Sequence, residues 1–152
     1  MPVPSDPEKA KYMFMEDMKF LQKVIIFHPY KNIFLALHRS QHDSQRPNDW
    51  DLPGGNVTFG ENHEAALTRE VKEETQLSIH SLRPAQVVTN FDANKGLYYL
   101  FIGYTAIAEN DSVTIDPQEH SEYRWVSNEE FFALTDTVFL RELVDDVYAA
   151  GH

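Results

Sequence analysis

Glu70, Glu73 and Glu74 stand at i, i+3 and i+4 within a stretch, 61–75, that is rich in Glu, Ala, Leu, Lys and Arg and holds neither Gly nor Pro. That composition predicts a helix. At ~100° per residue the three carboxylates share about a 100° arc of one face. Like charges so placed repel by roughly 0.2–0.5 kcal/mol per pair. A hard divalent cation would offset the repulsion. Mg²⁺ takes one or two carboxylates, keeps several waters and shares its other positions with substrate phosphates. Taken alone, such a face reads first as the wet side of a surface helix, with Arg69 and Lys72 offsetting its charge. Its surroundings shift that reading. Gly54-Gly55 lets backbone come close to whatever sits before the helix. Glu61 and Glu64 load the positive end of the helix dipole. Leu67 and Val71, with the small Ala65 and Ala66, offer a docking stripe, so the carboxylates can face a cleft.

The segment Gly55–Leu77, GNVTFGENHEAALTREVKEETQL, resembles the Nudix box of the MutT-like hydrolases. That signature is a Gly, five residues, Glu, seven residues, Arg-Glu, a large aliphatic, any residue, Glu-Glu, any residue, Gly and a large aliphatic. Gly55, Glu61, Arg69, Glu70, Val71, Glu73, Glu74 and Leu77 meet it. Gln76 stands where the family has a Gly that ends the helix in a left-handed conformation. Trp50-Asp51-Leu52-Pro53-Gly54 and Tyr123-Arg124-Trp125-Val126 are also family-like, so the likeness runs from about Lys23 to Leu134.

The resemblance implies an α/β fold, a Nudix-type α/β/α sandwich with a mixed β-sheet. It implies Mg²⁺- or Mn²⁺-dependent hydrolysis of a nucleoside diphosphate linked to another moiety. Glu70, Glu73 and Glu74 would be the metal ligands, with Glu73 and Glu74 also catalytic. Arg69 would hold a glutamate of the box, and Glu61 would support the loop. The base varies across the family between a box glutamate and a later loop residue. Glu119, in the acidic stretch 110–119, is the loop candidate, weighed evenly against simple exposure to solvent. His120 beside it is a weaker one, since a loop His is more often inert. Arg39, between His38 and His42, is the candidate phosphate contact, nearly balanced by a solvated Arg. Gly54 and Gly55 would let substrate approach the backbone. Phe27, Phe91 or Tyr99 could stack a base, without a choice among them. Asp145-Asp146 reads as a wet helix face. Family members resembling ADP-ribose pyrophosphatases carry a Pro, and dinucleoside polyphosphate hydrolases a Tyr, near where this chain has Asp92-Ala93-Asn94. Nucleoside triphosphates, intact or damaged, and nucleotide sugars therefore lead as substrates. The rival is a catalytically idle Nudix-fold module that binds or senses a nucleotide, against which the intact glutamate trio argues.

The elements that must position these residues are legible in outline. Val24–His28 and Ile33–Leu37 read as a β-hairpin, Trp50 and Leu52 as a short apolar pulse, and Val87–Phe91 and Leu97–Ala108 as strands. Tyr123–Val126 reads as a strand, and Ser127 with Glu130 as a capping box opening a helix. Leu140, Leu143, Val144 and Val147 mark the buried face of a last helix. The chain has 152 residues, the length of one domain, expected as an arm over 1–18 and a single domain over 19–152. Its net charge of -11 argues against a nucleic-acid polymer as partner, because binding one needs a Lys and Arg excess. It leaves room for a small nucleotide whose charge a cation mediates. There is no cysteine, which removes thiolate chemistry and suits a reducing cytoplasm. No signal-like or membrane-length apolar run is present, so no membrane partner is expected. A homodimer is expected only in that family members are commonly dimers.

Overall fold

The computed structural model describes residues 17–151. Seven strands form one mixed sheet: β1 (Asp17–Phe27), β2 (Phe34–Arg39), β3 (Trp50–Asp51), β4 (Gly54–Asn56), β5 (Ile79–Asp92), β6 (Leu97–Ala108) and β7 (His120–Val126). Among the described residues three helices flank it: α1 (His63–Thr75), α2 (Asn128–Leu134) and α3 (Val138–Ala149). The apolar run at the end of β1 is unbroken because both faces of the strand are covered. Val24 and Ile26 pack with Leu67 and Val71 of α1. Ile25 and Phe27 pack with Phe131 of α2 and Leu140, Leu143 and Val144 of α3. The result is the α/β/α sandwich.

The expected hairpin forms only at its turn, where Phe27 pairs with Phe34. Beyond it the strands part, and residues 50–56 enter the split. Asp51 pairs with Leu37 of β2, while Gly54 and Gly55 pair with Lys23 and Gln22 of β1. The Val24 N–H closes the seam by donating to the Pro53 carbonyl at 2.9 Å. On their outer edges β1 runs parallel to β6 and β2 antiparallel to β7. Pro53 does break the chain, as a bend between β3 and β4, but Gly54 and Gly55 are strand within the sheet.

Other differences are local. Residues 1–16 of the expected arm lie outside the described residues, and Asp17 and Met18 already belong to β1. β5 starts eight residues before the predicted Val87, at Ile79. Pro84 and sparse apolar residues hide this half of the strand, which lies at the sheet edge and carries two register shifts, where a proline is tolerated. β7 begins at His120, three residues ahead of Tyr123. The capping box of Ser127 and Glu130 and the buried face of α3 are as expected. No helix among the described residues is long and apolar enough to cross a membrane.

Candidate active site

Asn62 caps α1, its side chain accepting the Ala65 N–H at 3.0 Å. Ala66, Leu67 and Val71 are buried, which fixes the helix rotation, whereas Ala65 is exposed. At the other end Gln76 adopts φ 59°, ψ 13° and donates its N–H to the Lys72 carbonyl. The left-handed exit is thus kept without the glycine. Glu61 lies just outside the helix, where its carboxylate accepts from the Thr58 N–H at 2.9 Å.

With the helix so mounted, two of its glutamates meet β4. Glu74 is 7% exposed, and its Oε1 accepts the Gly54 N–H at 3.3 Å. Glu70 is half-buried against Gly55, where an added Cβ would stand 1.9 Å from Glu70 Oε2. A Cβ on Gly54 would stand 2.1 Å from the Gln22 carbonyl oxygen. The two glycines therefore let one strand pass between β1 and the carboxylates. Glu73 is exposed and lines the same cleft as Glu70 and Glu74. Arg69 donates to both of its oxygens at 3.2 Å and to Glu61 at 3.1 Å, bridging the two acids. Among the described residues no three His, Asp or Glu side chains are gathered into a metal-ligand cluster.

Burial pushes the Glu74 carboxyl up to about 8; Lys23 opposes this, and Asp51 and Glu119 add to it. Burial likewise raises Glu70. Two carboxyls raised by burial, beside open backbone, form an all-oxygen donor set that fits a hard dication, since Mg²⁺ needs only one or two protein carboxylates. Glu70 and Glu74 would hold it.

Both line a cleft of about 1040 Å³ that Lys23, Arg39 and Arg46 also line. Glu119 and His120 also line it. Glu119 is exposed, on a loop pinned by the Ser40 N–H donating to its carbonyl at 3.0 Å. His120 is buried, and its Nδ1 has no partner among the described residues. Burial, together with Lys23 and Arg39, lowers its pKa to about 4 against the pull of Asp51 and Asp116, so the ring is neutral at pH 7. Arg39 lines the cleft but is already paired, donating to Asp51 at 2.6 Å and to Asp43. His42 and Tyr99 line the cleft. His38 instead packs against Trp50, with ring centroids 4.9 Å apart and planes tilted by 56°. Phe27 is core, against Phe34 and Tyr148, and is excluded as a base-stacking residue. Phe91 is exposed and outside the cleft lining. Asp146 accepts from Gln86 of β5.

Sequence reading passed over Lys23, Arg46 and Asp51. The signal was present. A lysine at the head of an apolar run and an aspartate between Trp50 and Leu52 sit where charges are buried only when paired.

A model of the NUDIX domain matches residues 22–147. A nucleoside triphosphatase NudI of Salmonella arizonae is 33% identical over 94 residues, 56% of this chain and 66% of that protein. An RNA pyrophosphohydrolase of Caulobacter vibrioides is 27% identical over 119 residues, 67% of each chain. The chain thus spans about two thirds of the length of these curated relatives. Among solved structures, a MutT protein from Methanosarcina mazei superposes with a TM-score of 0.72 at 25% identity, covering 92% of this chain and 100% of that one. A MutT NUDIX hydrolase from Burkholderia pseudomallei superposes with a TM-score of 0.70 at 23% identity, covering 87% and 99%, and shares the fold.

Proposed function

The chain belongs to the Nudix hydrolase family, and from that premise we propose that it is a Mg²⁺- or Mn²⁺-dependent pyrophosphohydrolase. Its substrate is a nucleoside diphosphate linked to another moiety, with nucleoside triphosphates first, intact or damaged, and nucleotide sugars second. One observation carries the reading. Glu70 and Glu74 are pressed against the Gly54-Gly55 backbone with their carboxyls raised by burial, in a cleft that Lys23, Arg39 and Arg46 also line. The names of the relatives, a nucleoside triphosphatase and an RNA pyrophosphohydrolase, support phosphoanhydride cleavage.

The residues divide the work. Glu70 and Glu74 would hold the dication, and Glu73, bridged through Arg69 to Glu61, is the third box glutamate lining the cleft. A bound Mg²⁺ or Mn²⁺ supplies charge neutralisation for the non-bridging oxygens and Lewis acidity toward water. Glu119 takes the proton of the attacking water from its exposed loop position. Neutral His120 serves as a hydrogen-bonding neighbour rather than a charge. Gly54 and Gly55 keep the floor of the cleft free of side chains. Arg39 faces the phosphates from the opposite wall.

The test is release of phosphate or pyrophosphate from a panel of nucleoside triphosphates, nucleotide sugars and 5′-triphosphorylated RNA. Each is assayed with Mg²⁺, with Mn²⁺ and with chelator. Turnover of a small nucleotide that stops in chelator is expected. Preference for the RNA would move the substrate to a polymer end, and metal-independent turnover would overturn the mechanism.

A further inference from the structure

On the α1 side of β1 the side chains run Phe20, Gln22, Val24 and Ile26, and of these Gln22 is the polar one. Gln22 is 1% exposed, where an apolar side chain would spare the burial of an amide. Its Nε2 donates to the hydroxyl of Tyr104 on β6 at 2.8 Å, and its Oε1 is buried with no partner among the described residues. Tyr104 is buried too. Burial raises its pKa against the Gln22 hydrogen bond, so the phenol is neutral. With the amide as donor to its oxygen, the hydroxyl donates its own proton to His63 Nδ1 at 2.9 Å. His63 opens α1, and its ring packs against Phe20 with centroids 6.3 Å apart. Hydrogen bonds thus run from β1 through β6 to the first residue of the helix that carries Glu70 and Glu74.

We infer that His63 is a positioning residue for Glu70: the series Gln22–Tyr104–His63 fastens the start of α1 to the sheet and so sets Glu70 against Gly55. The inference takes the importance of Glu70 from the hydrolase reading above. Gln22 stands at both ends of the arrangement. Its side chain reaches His63 through Tyr104, and its backbone pairs with Gly55 of β4. Residues paired across two strands point to the same face, so the place of the missing Gly55 side chain is beside Gln22, and Glu70 Oε2 fills it. His63 and Glu70 are seven residues apart in α1, about two turns, and so lie on one stripe with the buried Leu67 between them. Leu67 and Val71 hold that stripe by apolar contact, which is non-directional and lets a helix slide over the sheet. Hydrogen bonds to a buried hydroxyl are directional and set one position along the axis. Apolar residues at 22, 63 and 104 would satisfy packing, and the unpaired Gln22 Oε1 is a cost that packing alone gives no reason to keep.

The test is native-state hydrogen exchange read by NMR in EDTA, so neither metal nor hydrolysis enters the readout. Gln22→Met combined with Tyr104→Phe replaces donor and acceptor by apolar groups of similar shape, a change that can be nearly neutral for stability. The melting temperature of this pair should match the parent's. Its α1 amides and the Gly54 N–H should still exchange about tenfold faster or more, the Gly55 amide resonance should shift, and the α3 amides should stay within about twofold. His63→Leu should behave like the pair. His63→Asn, whose Oδ1 can accept where Nδ1 does, should behave like the parent. If the paired variant does not fold, the contrast between Leu and Asn at the half-buried position 63 decides. Faster exchange spread equally over α1 and α3 would mean a structural role alone, and unchanged α1 protection in a folded variant would mean that the helix is held without these bonds. Either overturns the inference. Failure of the nucleotide panel would instead sink the hydrolase reading and leave the exchange result standing.

Discussion

The two walls of the cleft handle buried charge in opposite ways. On the β1–β2 side Asp51 is surrounded by Lys23, Arg39 and Arg46, and its carboxylate is held at about 2. On the α1 side Glu74 has one backbone N–H at 3.3 Å and a carboxyl pushed up to about 8. Burial is common to both, so partner charge makes the difference. One wall is electrostatically complete as folded. On the other, Lys23 only partly offsets the burial of Glu74, and that shortfall is the physical argument for a dication at Glu70 and Glu74.

Removing each wall's central acid should separate the two roles. Glu74→Gln should lower kcat by roughly 10²-fold or more, since altering even outer groups of a metal site costs about 10–100-fold. Its melting temperature should hold, because Gln keeps an acceptor for the Gly54 N–H and spares the burial of a carboxyl. Phosphate release and thermal denaturation on one preparation check both, and turnover within tenfold of the parent would remove Glu74 from the metal site. Asp51→Asn should do the reverse to stability. Taking the anion from a buried ion group costs about 3–5 kcal/mol, read from urea denaturation. The pH dependence has a definite sign. A depressed carboxyl contributes stability above its unfolded pKa and loses it as pH falls through the folded value. The Asp51 contribution, about 2 kcal/mol, should therefore disappear between about pH 4 and pH 2. Asp51→Asn should lack that part of the acid slope. The raised Glu74 carboxyl runs the other way and costs the metal-free fold stability as pH climbs from about 4.5 to about 8.

The carboxylate wall was readable in the sequence and the cationic wall was not, for a physical reason. Glu70, Glu73 and Glu74 are local, set on one helix by spacing alone, and Leu67 and Val71 fix which way that helix turns. Lys23, Arg39, Arg46 and Asp51 come from four segments that meet only because β1 and β2 part and residues 50–56 fill the split. No local period encodes that meeting. For the same reason Phe27 looked available for stacking, although its place beside Phe34 and Tyr148 is set by the distant α3. Spacing also put Glu73 on the arc of Glu70 and Glu74, but it could not show that Glu73 pairs with Arg69 through both of its oxygens while Glu74 is buried against Gly54.

A smaller perturbation asks how tightly the carboxylate wall is mounted. Gly55→Ala places a Cβ on the site of Glu70 Oε2, so Glu70 must swing away or β4 must shift. A misplacement of about 1 Å can cost about 10²-fold in rate. The expected result is a loss of that order in kcat with the acid-limb stability assigned to Asp51 unchanged, because that ion group is untouched. Loss of both would mean that the walls are mechanically coupled through β4, and the contrast between them would weaken.

The gentlest test concerns the helix exit. Gln76 carries a side chain at φ 59°, a conformation that costs non-glycine residues roughly 1–2 kcal/mol. Gln76→Gly relieves that strain, and the greater freedom of glycine in the unfolded chain gives part of it back. A net gain of about 1 kcal/mol would raise the melting temperature by about 2–4 °C in a domain of this size. Gln76 is exposed and lies outside the cleft lining, two residues beyond Glu74. Its backbone already follows the path a glycine would take, so kcat and KM should not change. A stabilised variant with altered kcat would show that strain at the end of α1 reaches Glu74, making the carboxylate wall a tensioned mount rather than a relaxed one.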